Sequence, residues 1–146
     1  MESVTERPRF HLAIAVDDLE AASDFYGDVL GCARGRADTD WIDWNLYGHQ
    51  LVTHRAVRST TSQSPSPHNF VDGHEVPVPH FGLILTIDLF HLLALRLKEH
   101  RVNFVIEPYV RFIDEPGEQW TMFFCDPAGN AIECKAFARE NQVFAT

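Results

Sequence analysis

Positive charge is scarce in this chain of 146 residues. Twelve lysine and arginine residues stand against 21 aspartate and glutamate residues, which gives a net charge of −9 at pH 7. Such a balance repels the phosphates of nucleic acids and the surfaces of anionic membranes. The sequence therefore predicts no nucleic-acid partner and no membrane-surface partner.

Long apolar runs and paired cysteines are missing as well. The first ten residues, MESVTERPRF, lack the hydrophobic stretch of a signal peptide. The most apolar segment, 81–97, is interrupted by Asp88, His91 and Arg96, which argues against a membrane span. Three cysteines without a C-x-x-C motif favour reduced thiols over a disulfide framework. We expect a cytoplasmic protein that forms one globular domain.

Two segments of the chain repeat one pattern. HLAIAV begins at His11 and HFGLIL begins at His80, so the copies are 69 residues apart. An aspartate and a leucine follow each copy, Asp18–Leu19 and Asp88–Leu89, and aspartate is a common residue at helix N-termini. Each half of the chain is therefore predicted to begin with a strand and a helix.

The two predicted helices each carry an apolar stripe. The first is expected to end at Gly31, and the second has Lys98 and Arg101 near its carboxyl end, where the helix dipole favours positive charge. Residues spaced three and four apart define the buried faces. These are Leu19, Ala22, Phe25, Tyr26 and Val29 in the first helix, and Leu89, Leu92, Leu93 and Leu97 in the second.

After each helix the apolar period shortens to two, which predicts strands. They are 32–37, 41–47 and 50–54 in the first copy, and 103–107, 119–125 and 131–137 in the second. The fold class is thus α+β. Two βαβββ modules, about 8–54 and 78–138, are joined by a long Ser- and Pro-rich loop, 55–79, within a single domain, 1–146. We expect a curved, mixed, eight-stranded sheet with the helices outside, and exchange of modules between two chains is the alternative.

Strand alternation places both repeat histidines on the face away from the helices. Glu133, on the last strand, has the same parity. If the two sheets curl toward each other, His11, His80 and Glu133 converge. Two imidazoles and one carboxylate form the facial triad that binds a divalent metal, typically Fe(II), and leaves positions open. A single strand-end histidine is more often a hydrogen-bonded residue than a ligand, but two at matching repeat positions favour a metal site.

Three segments resemble the vicinal oxygen chelate superfamily of glyoxalases, fosfomycin- and bleomycin-resistance proteins and extradiol dioxygenases. They are FHLAIAVDDLEAASDFYGDVLG, HFGLILTIDL and MFFCDPAGNAIE. More narrowly, the chain resembles small proteins described as predicted dioxygenases of the extradiol type. The resemblance implies the metal ligands His11, His80 and Glu133, with Fe(II) expected and Mn(II) or another divalent ion as the alternative. It also implies a homodimer.

The same comparison bears on a fourth ligand, which glyoxalases carry on the last strand of the first module. Aligning Gly48 with Gly129 places Val52 opposite Glu133, and valine cannot bind metal. A shift of two residues would instead offer Gln50 or His54. Extradiol enzymes also carry a tyrosine on the strand before the DPAGN turn, where this chain has Phe123 and Phe124, and an acid–base histidine, for which neither His68 nor His74 is a full match.

The resemblance leads to a ring-cleaving reaction between a small catechol-like substrate and O2. We expect His74 and Tyr109 to serve as acid–base groups and Arg111 to pair with an anionic group of the substrate. The residues His49, Gln50 and His54 are expected to line the substrate site. Surface, turn and half-buried structural roles are the alternatives for all six residues.

Two other activities stay open for the same fold. A metal-assisted lyase, isomerase or thiol transferase would use the same three ligands. A metal-free protein that sequesters a small molecule, as bleomycin-resistance proteins do, would not need them.

Overall fold

The computed structural model describes residues 7–56 and 68–146. The chain separates into two compact units, Met1–Arg58 (unit 1) and Ser59–Thr146 (unit 2). Each unit contains one of the two βαβββ modules, so the predicted order of elements is confirmed in both halves. No helix among the described residues is long and apolar enough to cross a membrane.

Unit 1 consists of one mixed four-stranded sheet and one helix. The helix begins as α1, Leu19–Ser23, and continues with π-helical geometry over Asp24–Val29. Asp18 caps it as predicted, because its side chain accepts the backbone N–H groups of Glu20 and Ala21. The strands are β1 His11–Val16, β2 Ala33–Asp38, β3 Trp41–Leu46 and β4 His49–Arg55, in the order β1-β4-β3-β2 with β1 and β4 parallel.

The helix covers one face of that sheet. Tyr26 is fully buried, and its ring lies 6.2 Å from that of Trp44. The indole N–H of Trp44 donates to the hydroxyl of Thr53 at 3.1 Å, so these buried polar groups are satisfied. Of the predicted face of the first helix, Ala22, Phe25 and Tyr26 are buried, and Leu19 and Val29 are half-buried. The odd-parity residues of β1 are left on the opposite face of the sheet.

Unit 2 repeats the arrangement and adds a hairpin. Its hairpin strands are β5 His68–Val71 and β6 His74–Pro77, and its helix is α2, Ile87–Glu99. The main sheet contains β7 Phe81–Ile84, β8 Phe104–Arg111, β9 Gln119–Cys125 and β10 Ala131–Phe137, in the order β7-β10-β9-β8 with β7 and β10 parallel. A short 3₁₀ turn, Glu140–Gln142, follows.

The second helix differs from the prediction in its cap and in its buried face. Thr86, not Asp88, caps it by accepting the N–H of Leu89. Phe90, Leu93, Ala94 and Leu97 are buried, whereas Leu89 and Leu92 are 42% and 62% exposed. Each of these two leucines directly precedes a buried residue, Phe90 or Leu93. Successive helical residues point about 100° apart, so the two leucines are turned away from the sheet.

Part of the predicted loop 55–79 is a hairpin, so that prediction was wrong for residues 68–77. Val71 pairs with His74 across a two-residue turn made by Asp72 and Gly73. Both turn residues have positive φ, 50° and 78°, as the favoured tight hairpin turn requires. The Asp–Gly pair was the sequence signal for this turn. The stretch 57–67 lies outside the described residues.

Candidate metal and substrate site

The face of the unit 2 sheet opposite α2 carries a buried carboxylate. Glu133 is only 9% exposed although it is charged. Its Oε1 accepts a hydrogen bond from the hydroxyl of Thr121 at 2.8 Å and lies 3.6 Å from Lys135 Nζ. Its Oε2 lies 3.0 Å from His80 Nε2. The two predicted ligands of unit 2 are therefore adjacent, and the carboxylate is held by neighbours that leave one oxygen toward the imidazole.

The other nitrogen of His80 determines what this imidazole can do. Nδ1 lies 2.7 Å from the backbone carbonyl oxygen of Pro77. A carbonyl only accepts, so Nδ1 carries the proton and donates it to Pro77. In the neutral ring Nε2 then presents a lone pair to Glu133, and a lone pair facing a carboxylate needs a cation. Metal-bound histidines are oriented by such a bond to a backbone carbonyl.

The distance between the two groups suits a shared ion. Ligands about 2.1 Å from a metal and at right angles to each other lie about 3.0 Å apart. The Nε2–Oε2 distance in unit 2 is 3.0 Å. A protonated imidazole would satisfy the same pair, so the geometry fits a metal without requiring one. Across residues 7–56 and 68–146, no three His, Cys, Asp or Glu side chains are grouped so as to hold an ion.

Gly82 allows strands β7 and β10 to lie close together. It lies opposite Glu133 in the parallel register, and a Cβ at this position would be 1.5 Å from the carbonyl oxygen of Glu133. Any side chain there would force β7 and β10 apart. Sequence reasoning did not identify this residue, although a glycine inside an apolar strand is a known sign of close backbone approach.

The hairpin packs against the same sheet through a small apolar cluster. Val76, Ile106 and Phe123 are buried together, and Val71 and Tyr109 pack against them. The rings of Phe123 and His80 also pack in a T-shaped arrangement, with centroids 5.0 Å apart. Phe123, one of the two phenylalanines in the segment where the resemblance led us to look for a tyrosine, is therefore beside His80.

Polar contacts hold the tip of the hairpin. The hydroxyl of Tyr109 donates to Asp72 Oδ2 at 3.1 Å, and Arg111 pairs with the same oxygen through Nε. The ring of His74 lies 4.9 Å from that of Tyr109. The three predicted catalytic residues His74, Tyr109 and Arg111 are thus brought together, with Asp72 as a partner that sequence reasoning missed.

The charges of this cluster shift two pKa values. The hydrogen bond from Arg111 is the main cause that lowers the pKa of Asp72. Burial, and then the Asp72 carboxylate, raises the pKa of Tyr109. Tyr109 is therefore a phenol at neutral pH, and its proton is available for donation. Arg111 has an internal partner, and its predicted contact with substrate stays a prediction.

Unit 1 places its predicted ligand in a matching environment. His11 Nδ1 lies 2.8 Å from Gln50 Oε1. With the proton on Nδ1, the His11 ring donates to the amide oxygen of Gln50, and the lone pair lies on Nε2. The carbonyl oxygen of Pro77 accepts the Nδ1 proton of His80 in the same way. The parallel register pairs His11 with Gln50 and Ala13 with Val52. Gln50 thus contacts the imidazole.

The register also answers the question of the fourth ligand. Ala13 corresponds to Gly82 in the repeat, and their partners are Val52 and Glu133, respectively. Val52 therefore occupies the position of Glu133, as the glycine alignment predicted. It is 6% exposed and has no donor atom. The shifted alignment that would offer Gln50 or His54 at this position does not agree with the register.

A concavity of about 660 Å³ lies in unit 1 beside His11. His49 and Gln50, two of the predicted substrate-binding residues, line it. The third, His54, does not; it is exposed and pairs with Trp41 farther along the sheet. Three arginines also line the concavity, Arg9, Arg34 and Arg36, and sequence reasoning identified none of them.

The cysteines are not candidates for this chemistry. All three are reduced thiols, and Cys32 and Cys134 are buried. Burial raises the pKa of Cys134 to about 12 and also raises that of Cys125. Thiols with raised pKa values are poor nucleophiles and poor metal ligands at neutral pH.

Comparisons with known proteins agree with this architecture. The family model described as "Glyoxalase/Bleomycin resistance protein/Dioxygenase superfamily" matches residues 10–134. A glyoxalase/bleomycin resistance protein/dioxygenase from Alicyclobacillus acidocaldarius is 30% identical, with a TM-score of 0.76 over 94% of this chain and 97% of that one. No curated protein sequence matches the chain significantly.

More distant structures share the fold. A fosfomycin resistance protein from Listeria monocytogenes has a TM-score of 0.67 at 14% identity, covering 94% of this chain and 98% of its own. A glyoxalase/dioxygenase from Nostoc punctiforme has a TM-score of 0.63 at 18% identity, covering 95% and 97%. The match of the family model over most of the sequence, together with the 30% identical relative, shows that the chain belongs to the glyoxalase/bleomycin resistance protein/dioxygenase superfamily.

Proposed function

We propose that the protein is a metal-dependent enzyme, a dioxygenase of the extradiol type that acts on a small catechol-like substrate. The observation that supports this most is the pair formed by His80 and Glu133, 3.0 Å apart, with the imidazole proton committed to Pro77. In this proposal His11 is the third ligand, supplied by the equivalent strand of unit 1. Superfamily membership supports a divalent ion, and a site with two imidazoles and one carboxylate favours Fe(II).

The chemistry of the proposed ligands is consistent with that ion. When bound, a divalent metal supplies Lewis acidity and a template for vicinal oxygens. Thr121 holds the Glu133 carboxylate by donating to it, and Phe123 packs beside the His80 ring. His80 and His11 each donate the Nδ1 proton to an oxygen, which leaves Nε2 as the nitrogen that would bind the metal.

His74 and Tyr109 are proposed to share the proton transfers. The pKa of Tyr109 is raised, so its phenol acts as a hydrogen-bond donor or acid. That leaves His74, whose ring lies beside Tyr109, as the group that accepts a substrate proton. Changing His74 to glutamine should lower turnover by a factor of about 10² or more without removing metal.

Metal content is the first test of this function. Protein purified without oxygen should contain close to one equivalent of a divalent metal, and Fe(II) should restore more activity than Mn(II) after chelation. A chain with no affinity for any divalent ion would instead be a metal-free binding protein of the same superfamily.

Oxygen consumption is the second test. Iron-loaded protein should consume O2 with a subset of catechols and produce the absorbance of a ring-opened product. Metal binding without oxygen consumption across a broad catechol panel would contradict the dioxygenase and favour a lyase, isomerase or thiol transferase. A cytoplasmic location and a homodimer stay predictions, which fractionation and sedimentation would check.

A further inference from the structure

The concavity in unit 1 is lined by more positive than negative side chains, although the protein as a whole is negatively charged. The chain carries a net charge of −9, yet the wall of this concavity contains three arginines and a single carboxylate, that of Asp43. We propose that it binds a small organic anion through a carboxylate or phosphonate group. The inference rests on the proposed function only in making this anion part of the substrate.

The neutral polar groups of the wall present donors. The N–H of Gly48 donates to Asn45 Oδ1 at 2.7 Å, so the amide NH₂ of Asn45 remains as the group that can donate to a ligand. The N–H of Phe10 donates to His49 Nδ1 at 2.9 Å, which leaves the proton of His49 on Nε2. In each case the protein itself uses the acceptor atom.

Gln50 follows the same rule. Its Oε1 accepts from the Nδ1 proton of His11 at 2.8 Å, and its NH₂ group remains. Three side chains of different type on one wall therefore have their acceptors occupied and their N–H groups available. A ligand with only acceptor oxygens satisfies all of them, whereas a neutral ligand with donors does not.

The arginines supply the charge that selects an anion. Arg36 Nε lies 3.9 Å from Asp43 Oδ2, which is too long for a hydrogen bond and leaves its N–H groups available. The side chain of Asp43 is only 15% exposed, so the carboxylate lies low in the wall and the Arg36 side chain, 87% exposed, lies toward solvent. Guanidinium groups bind carboxylates and phosphonates through paired N–H groups.

Size and position are consistent with a substrate site. A volume of about 660 Å³ lies in the range of small-molecule pockets. His11, the proposed ligand of unit 1, belongs to the same wall. An anion held by the arginines would therefore extend toward His11, and the favoured substrate class is a catechol that carries an acidic group.

Binding of three matched probes tests the inference without relying on turnover. Benzoate, phenylphosphonate and neutral benzamide have the same ring and differ in the polar group. Each is titrated into isotope-labelled full-length protein, with and without bound metal, while side-chain and backbone N–H signals are recorded. We expect at least one of the two anions to bind about tenfold or more tightly than benzamide, and to shift signals of Asn45, His49 and Gln50.

Variants identify the groups that carry the preference. Arg9→Gln and Arg36→Gln should each weaken anion binding about tenfold and leave benzamide unaffected. Arg55→Gln is the matched control, because Arg55 lies in the same unit but pairs with Asp40 outside the concavity. Whether benzoate or phenylphosphonate binds more tightly assigns the class of anion.

Three outcomes would overturn the inference. They are equal affinity for benzamide and the anions, anion-induced shifts confined to unit 2, and retention of anion binding in both arginine variants. Loss of metal binding with intact anion binding would refute the proposed enzyme and leave this inference standing. Metal binding and oxygen consumption with no preference for anions would do the reverse.

Discussion

The two units are built on one plan but differ at the position that matters most. In unit 2 the strand partner of Gly82 is Glu133, a buried carboxylate next to His80. In unit 1 the strand partner of Ala13 is Val52, a buried apolar residue. One unit therefore presents two adjacent donors, whereas the other presents one histidine beside a concavity rich in arginine. In the proposals above, unit 2 supplies two metal ligands, and unit 1 supplies the third ligand together with the anion site.

A second difference lies in how the histidines are oriented. A backbone carbonyl, that of Pro77, accepts the Nδ1 proton of His80. A side chain, that of Gln50, does the same for His11. The hairpin that supplies Pro77 belongs to unit 2, where it is held by Asp72 and an apolar cluster. A substitution can therefore remove the acceptor that orients His11, whereas the acceptor that orients His80 is part of the backbone.

The largest expected effect comes from removing the charge of Glu133, which unit 1 does not have at the equivalent position, Val52. Glu133→Gln keeps the volume and removes the charge, so metal affinity should fall by a factor of about 10² or more. Glu107→Gln, the same change at an exposed residue of β8, is the control. Metal titration by calorimetry measures both variants. Equal affinity in the two variants would show that Glu133 is not a ligand.

Substitutions at Gly82 and Ala13, the strand partners of Glu133 and Val52, should have the next largest effect. Gly82→Ala places a methyl group against the Glu133 backbone and should cost about 1–3 kcal/mol of unfolding free energy, with weaker metal binding. Ala13→Gly, the reciprocal change, should cost about 1 kcal/mol or less. Denaturant unfolding measures both. A silent Gly82→Ala would mean that the close approach of β7 and β10 is not needed.

Removing the acceptor of His11 should have a smaller effect on metal binding. Gln50→Leu deletes the oxygen that orients the imidazole and should weaken metal binding about tenfold. Gln50→Glu keeps an acceptor oxygen and should restore the affinity, which a purely steric role of Gln50 would not predict. The ratio of the two dissociation constants is the measurement, and an unchanged affinity in Gln50→Leu would exclude His11 as an oriented ligand.

The smallest effect is expected at the hairpin formed by β5 and β6 in unit 2. Asp72→Asn removes the charge that pairs with Arg111 and should cost about 1 kcal/mol or less. Because Arg111 lowers the pKa of Asp72, this contribution is fully present above about pH 4 and is lost as the pH falls through the lowered value.

The variant should therefore lose less stability on acidification than the original chain does. It should also lower the pKa of Tyr109, because the Asp72 carboxylate helps to raise it. Unfolding free energies at pH 7 and pH 3 and a spectroscopic titration of tyrosine check both effects. Asp114→Asn, at an exposed residue, is the control.

The sequence by itself determined the repeat and most of its strands, because local patterns carry that information. Alternating apolar residues predicted β9 and β10 to the residue, and Asp18 capped the first helix as expected. The glycine alignment also placed Val52 opposite Glu133 correctly, since turn residues set the register of the strands that follow them. The pairing of His80 with Glu133 followed from strand parity.

Tertiary structure decided what no local pattern contains. The stripe buried by α2 depended on the phase of the helix against its sheet, so Leu89 and Leu92 were assigned to the wrong face. The clustering of Asp72 with Tyr109 and Arg111 joins residues 37 and 39 positions apart, and a hairpin packed on a sheet brings them together. The donor character of the unit 1 concavity is likewise set by which atoms the folded backbone already uses. Hydrogen-bond partners of this kind are chosen by proximity in three dimensions, and sequence spacing does not record it.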